Sequence, residues 1–515
     1  MAVLDAIKDH LNLPSWDSPS LLSGAALLLL LFITYFLVSS VNAWRRLRHF
    51  PGAFFARISY LPLLRQTWNA NLLATLDELE QKYGKVVCIG PNELLCADAD
   101  EIARISGVRS TWGRAGWYRI MSFDPDNESM VTFMDPPSHD KRKAMLMRGY
   151  EGRGLVKWEE VVDSQIDIMV CLLREKYAKP GSTAVVDWAA MARYFSLDIA
   201  VTGVTGKSWG TLHSEKDVHG FFSVGEALIP FMHCLAVWSG VRSIIASPRV
   251  LRLVGPGVGD KSGLGHFMGQ VQAETAARVT DPHAKGNDLI SDFLNNGLAP
   301  RDCETEAALA AIAGSDTAAS PIRHIMLFLA STPYVYNKLK AEIAQGIKTG
   351  QISSPVRHAE AQNLPYLQAV LHEGFRIMPT TLTGFPKRVP PEGDTICGMK
   401  VPPGTDIYPN NRAILLDKSV YGDDVHLFRP ERWLECSPEA KTVMSRNLDI
   451  IFSKGRWQCP GKNLAWMELH KVYVELLRNF DVQIVNPGAQ PWKIRSYTTI
   501  VIENFYLRFT EAKLG

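Results

Sequence analysis

Residues 451–466 read IFSKGRWQCPGKNLAW, a glycine-containing basic turn that runs through a cysteine into an apolar periodicity. Pro460 suits a first helical position, and Ala465, Leu469, Val472, Leu476 and Phe480 form one stripe at helical spacing behind it. The pattern predicts a helix whose N-terminus carries Cys459. Unpaired backbone N–H groups and the positive end of the helix dipole meet there, and Lys454, Arg456 and Lys462 add charge, so a thiolate is the expected species. A thiolate attacks electrophiles or binds soft metals. No histidine base stands nearby in sequence, and the plain alternative is a small core cysteine.

The remaining composition narrows the classes. With 515 residues, 46% hydrophobic and 10% aromatic, the chain can bury a large core. Lysine plus arginine (55) balances aspartate plus glutamate (53), so no global field recruits nucleic acid and none is expected as a partner. The eight cysteines (Cys88, Cys96, Cys171, Cys234, Cys303, Cys397, Cys436 and Cys459) form no CxxC pair and no zinc-like spacing, which suits a reducing compartment.

From Leu21 to Trp44 there is no charged residue, enough chain to cross a hydrocarbon layer of roughly 30 Å at about 1.5 Å per residue. A cleaved signal peptide would place its basic residues first. Here Asp5, Asp9 and Asp17 outnumber Lys8 before the stretch, and Arg45, Arg46 and Arg48 follow it. The positive-inside rule then puts residues 1–20 in the lumen, a transmembrane anchor at 21–44, and everything beyond in the cytosol. On that topology the sequon Asn127-Glu128-Ser129 stays unused. Residues 45–55, with Pro51-Gly52, read as a basic hinge, and 56–515 as one catalytic domain.

Residues 77–105 predict helix, strand, a turn at Gly90-Pro91-Asn92, strand and helix. About 155 to 345 is helical in pattern, broken by the glycine-rich residues 254–265, expected as a mobile surface loop. Beyond Pro386 the texture is proline-rich and short-stranded until helix returns after Cys459.

The cysteine stretch resembles the heme-binding loop of cytochrome P450 enzymes, F-x-x-G-x-R-x-C-x-G, through Phe452, Gly455, Cys459 and Gly461. It departs at one place: Trp457 stands at the arginine position, and Arg456 precedes it. Three further motifs follow the family's order. Residues 364–379 carry E-x-x-R as Glu373 and Arg376, one helical turn apart, and FRPERW supplies Arg432, which the resemblance joins to them in a structural network. ALAAIAGSDTAAS, 308–320, is similar to the A-G-x-D-T oxygen-side segment through Ala313, Gly314, Asp316 and Thr317, within a helix expected over about 302–331. Without the resemblance, the same stretch reads as a mildly unstable surface helix. Pro321 removes an N–H from it, so a kink or local unwinding past Thr317 is expected, either widening a groove or absorbed by packing.

The resemblance implies a mainly α fold, a large helical domain with a small β-rich subdomain behind one N-terminal transmembrane helix. It further implies heme b on Cys459, a proton relay through Thr317 and Asp316, and close backbone approach to the heme at Gly314. His139 and Lys143 in DPPSHDKRKAML, Arg388 in PKRVPP, and Arg456 are the implied partners of the heme propionates. Lys141 and Arg142 read as a solvated helix face or a docking surface for an acidic redox partner, and His372 as ordinary surface. Apolar substrate contacts are implied around 112–123, 221–231, 380–385 and 497–500.

The implied activity is oxidation of an apolar small molecule by dioxygen, with electrons from NADPH delivered by NADPH–cytochrome P450 reductase, an FAD/FMN flavoprotein, at the endoplasmic reticulum membrane. The layout looks most like fungal microsomal enzymes of secondary-metabolite biosynthesis. Two alternatives remain at this stage: a heme-thiolate enzyme of oxidative rearrangement, ring expansion, isomerisation or dehydration, and a non-catalytic membrane-anchored heme sensor.

Overall fold

The chain's apolar run forms a helix, α1 (Pro19–Leu47), in a computed structural model that describes residues 19–281, 286–490 and 492–512. Residues 1–18, most of the expected lumenal terminus, lie outside the described residues. Leu27 to Leu31 and Phe36 to Val38 are exposed, as a lipid-facing segment requires, whereas Leu47 and Phe50 are buried in the body. The expected hinge is seated rather than free: Arg46 donates to the carbonyl of Pro403 at 2.8 Å, and Cys88 N–H donates to Pro51 O at 2.8 Å. At Gly52, φ is +149°, and a Cβ there would stand 2.6 Å from the Cys88 carbonyl, so glycine is what lets the chain lie on the sheet.

That sheet joins distant parts of the sequence. β1 (Val86–Gly90) and β2 (Glu93–Cys96) form the expected antiparallel hairpin, with Val86 opposite Cys96 and both strands buried throughout. β2 runs parallel to β5 (Asp406–Pro409), which pairs antiparallel with β4 (Lys387–Arg388); β4 in turn pairs with β3 (Gly113–Arg114). The order is β1-β2-β5-β4-β3. The proline-rich segment after Pro386 therefore completes the N-terminal hairpin's sheet.

The helical body supplies the core. α2 (Pro136–Tyr150) starts at an Asp135 cap that accepts from Ser138 N–H at 2.8 Å. α3 (Trp188–Thr205) is buried along most of its length and packs on α5 (Pro300–Ser331). α6 (Pro365–Ile377) crosses α5 at Gly374, where a Cβ would meet Ile325 at 2.3 Å. α7 (Lys462–Asn479) follows the cysteine, starting at Lys462 rather than at Pro460, because residues 459–461 are spent on a turn.

Two helical expectations change. α5 continues without interruption through Pro321, so no unwinding follows Thr317. The carbonyl of Ile322 has donors from outside the helix, the Tyr473 hydroxyl at 2.9 Å and the Trp188 indole at 3.3 Å, which holds the helix in place past the missing N–H. α4 (Phe221–Val237), expected to line a substrate pocket, buries only Phe222 and Ala236; Leu228, Phe231 and Met232 face outward. Its Phe231 meets Trp68 edge-on at 5.4 Å, extending one exposed apolar surface. Residues 257–262 do form an exposed loop, and the next helix begins at Gly263.

Candidate active site

The cysteine loop is shaped by its own backbone. Cys459 N–H donates to Phe452 O at 2.8 Å, closing the loop, and Gly455 sits at φ +60° where a Cβ would lie 2.3 Å from Ser106 O. No side chain fits there. Lys143, from α2, donates to the carbonyls of Arg456 (2.8 Å) and Gln458 (2.7 Å), so this lysine fastens the loop's backbone. Burial pushes the Cys459 thiol above its ordinary pKa, opposed by the N–H groups of Gly461 and Lys462 and by the ammonium groups of Lys143 and Lys462. Of the charges expected to lower the thiol, only Lys462 acts on it, Lys143 taking the place of Lys454 and Arg456, and desolvation outweighs the helix-end N–H groups and both ammonium groups. The thiol lies deep, yet its side chain is accessible, so it faces open interior space.

The glutamate–arginine network forms as the motifs imply. Arg376 grips Glu373 with two bonds of 2.8 Å, Arg432 Nε adds a third at 3.0 Å, and Trp433 Nε1 a fourth at 2.9 Å, all in a wholly buried cluster. Breaking one partner of such a set typically costs about 3–5 kcal/mol, since a buried charge is left behind. Arg376 and Arg432 also reach the carbonyl of Leu427, at 3.2 and 3.4 Å, pinning the segment ahead of the cysteine loop.

On α5, Ala313 and Thr317 are exposed while Ala311, Ser315, Ala318 and Ala319 are buried, so one strip of a core helix faces accessible space. The Thr317 hydroxyl donates to Ala313 O. Asp316 is clamped: its Oδ1 accepts from Arg193 Nε at 3.0 Å and from Arg323 Nη2 at 2.9 Å. Burial alone would raise its carboxyl, but the Arg323 and Arg193 guanidinium groups hold it at about 2. Arg193 also bonds Glu226 of α4, linking the outer helix to this carboxylate. The position of Gly314's missing Cβ is 3.3 Å from Ala200, so this glycine also seats α5 on α3.

Around position 457 the expected cations are rearranged. Arg456 pairs with Asp140 at 3.3 Å and donates to Val108 O, which takes its guanidinium for a surface contact. Arg388 forms two bonds to Asp406, of 2.7 and 2.9 Å, and is half-exposed. Successive residues of a strand face opposite ways, so it is Lys387 that points inward. Lys387 is 2% exposed, 3.3 Å from the Tyr118 hydroxyl and 4.6 Å from the Trp457 ring. Burial pushes its ammonium well below the ordinary value.

Arg114, on β3, is buried as well, with its guanidinium 4.6 Å from the Trp457 ring and Nη1 on the Val131 carbonyl at 2.8 Å. Neither was expected from the sequence: the available signals were the cation pair in PKRVPP and the arginine set between Trp112 and Trp117 in the aromatic run 112–123. His139 lies 4.5 Å from Trp457, and burial with the nearby Arg114 charge holds it down to about 4, a neutral ring. No carboxylate pairs with Lys387 or Arg114 among the described residues, and Trp457 Nε1 and Arg114 Nε have no partner there. Two buried cations and two orphaned donors fit an anionic group, and the deep accessible thiol fits a soft metal.

Two surface assignments are corrected. Arg142 is buried against Asp302 (2.8 Å) and Glu306 (3.1 Å), whereas Lys141 is exposed as expected. His372 packs between Trp433 and Trp466, at 4.9 and 5.3 Å. Of the implied substrate segments, residues 380–383 and Tyr497 and Ile500 are buried and joined, Ile500 N–H donating to Thr380 O at 3.2 Å.

The comparisons place these features in a family. The cytochrome P450 family model matches residues 51–504. The cytochrome P450 monooxygenase ABA1 of Pyricularia oryzae is 37% identical, covering 99% of both chains. The cytochrome P450 monooxygenase aba1 of Botryotinia fuckeliana is 34% identical over 91% of this chain and 92% of its own, and a pisatin demethylase of Fusarium vanettenii is 28% identical over 87% and 85%.

Proposed function

The chain belongs to the cytochrome P450 family, and on that premise we propose a heme-thiolate monooxygenase that oxidises an apolar small molecule of fungal secondary metabolism, with Cys459 as the iron ligand. The observation that carries it is the deep, accessible Cys459 in a loop whose glycine, cation and carbonyl contacts all serve to hold that one side chain. When bound, heme supplies dioxygen activation with two electrons, which NADPH provides through an FAD- and FMN-carrying reductase. The residues of this chain do the rest.

Phe452, Gly455 and Lys143 fix the loop so that the Cys459 sulfur points into the cleft. Thr317 stands on the accessible side of α5, where its hydroxyl, once turned from Ala313 O, can donate toward dioxygen. Asp316 stays ionised at physiological pH, and the chain Glu226–Arg193–Asp316 is a polar route from the surface to Thr317 along which water can bring protons. Thr317 O has lost its helical donor to Pro321 and is left to accept from such a water. Relatives named as monooxygenases, and one named as a pisatin demethylase, support an oxidative reaction on an organic substrate. The exposed α1, with the apolar face of α4, supports membrane attachment, and the arginines that follow α1's apolar run support a cytosolic side for the catalytic domain of 56–515, the proposed membrane being the endoplasmic reticulum.

The test uses full-length protein with its reductase. A panel of apolar terpenoid, polyketide and peptide-derived compounds is screened for a spin-state change in the absorption spectrum, and the positive compound is turned over under ¹⁸O₂. One labelled oxygen in the product is expected, and Thr317→Ala is expected to divert NADPH electrons several-fold toward hydrogen peroxide. Binding without NADPH consumption by any such ligand would make the protein a carrier or sensor instead.

A further inference from the structure

Trp457 stands at the loop position where the family pattern has arginine, so one cation is missing from the cofactor-facing loop. The surroundings of Trp457 compensate in an ordered way. Its ring is 5% exposed, and Arg114 and Lys387, from neighbouring strands β3 and β4, each come within 4.6 Å of its centroid. Tyr118 completes the group, with Arg114 4.6 Å and Lys387 5.5 Å from its ring. Two buried like charges repel, and the Arg114 charge adds to the burial that disfavours the Lys387 ammonium. An aromatic face offsets part of that cost by holding a cation against its negative quadrupole, but it cannot neutralise either one. The edge of the same ring carries an N–H that meets no acceptor among the described residues. Face and edge thus offer two services: the face holds cations, and the edge donates to an anion.

We infer that Trp457 takes over the missing arginine's role without its charge: its ring positions Arg114 and Lys387, and its Nε1–H donates to a carboxylate of the heme, the three together forming the propionate site. This rests on the heme-thiolate reading above. Arg456, engaged by Asp140 and Val108, and Arg388, engaged by Asp406, take no part.

Full-length protein and its Trp457→Phe and Trp457→Leu variants are loaded with heme or with heme dimethyl ester, whose carboxylates are capped, and release to excess apomyoglobin is timed. Trp457→Phe keeps the ring and loses the N–H. It is expected to release heme about tenfold faster than wild type, the worth of one hydrogen bond to a charged group, and to release the ester at the wild-type rate. Trp457→Leu, which frees both cations, is expected to release heme faster still. Equal heme release by Trp457→Phe and wild type, or equal acceleration for heme and ester, overturns the assignment. The carbon monoxide spectrum of each loaded form separates the two claims: a thiolate-type band with unchanged release overturns only the role of Trp457, whereas its absence from wild type overturns the heme-thiolate reading as well.

Discussion

Ser453 holds φ +59° with ψ 178°, a region of the backbone map that glycine enters freely and other residues enter under strain. It sits between Phe452, whose carbonyl takes the Cys459 N–H, and Gly455, whose lack of a Cβ is enforced by Ser106. The loop therefore imposes the conformation and the serine bears it. Ser453→Gly is expected to stabilise the protein by about 1 kcal/mol after allowing for the freedom glycine gains when unfolded, read as a higher thermal midpoint of purified protein. A lower midpoint would mean that the serine relieves the strain in a way its backbone angles do not reveal. The pair Lys387 and Arg388 teaches a related lesson. Sequence spacing marked a cation at PKRVPP, but a strand of two residues gives no alternation to read, and only the pairing of β4 with β3 and β5 decides which side chain turns inward.

At the scale of elements, the buried sheet carries a titrating group of its own. Glu93 on β2 accepts from the Tyr60 hydroxyl at 3.0 Å and from Asn92 N–H at 2.9 Å, with Asp406 of β5 close by. Burial, then the Asp406 charge, push its carboxyl up to about 7. In the unfolded chain a glutamate loses its proton near the ordinary value of about 4.3, so the folded state binds the proton more tightly. Its stabilising contribution is whole below that pH and is lost as pH rises toward 7. Glu93→Gln, which stays neutral, is expected to flatten the fall in thermal midpoint between pH 5 and pH 8; the same fall in both proteins would remove Glu93 as its cause. The hairpin itself was legible, because turn residues and apolar strands are local signals. Its parallel partner, more than three hundred residues away, was not.

For the molecule as a whole, what could be read early was whatever depends on near neighbours: the apolar N-terminal helix, the helix over 302–331, E-x-x-R and the cysteine loop. The matching family model over 51–504 and full-length fungal monooxygenase relatives bear out the family, the mainly helical fold and the enzyme class. Long-range pairing and desolvation escaped the reading. Arg142 looked like a solvated face until α5 brought Glu306 to it, and the helix-end argument for a thiolate ignored the cost of depth. A buried thiol loses its proton far more readily when the sulfur coordinates a metal than when it must stand as a free thiolate.

Everything proposed about turnover hangs on the iron ligand. The most direct measurement is the carbon monoxide difference spectrum of the reduced full-length protein in membranes, for wild type and Cys459→Ala. A strongly red-shifted Soret band in wild type that vanishes in the variant is the expected result. An unshifted band shared by both, or no band from well-folded wild type, would contradict thiolate ligation by Cys459.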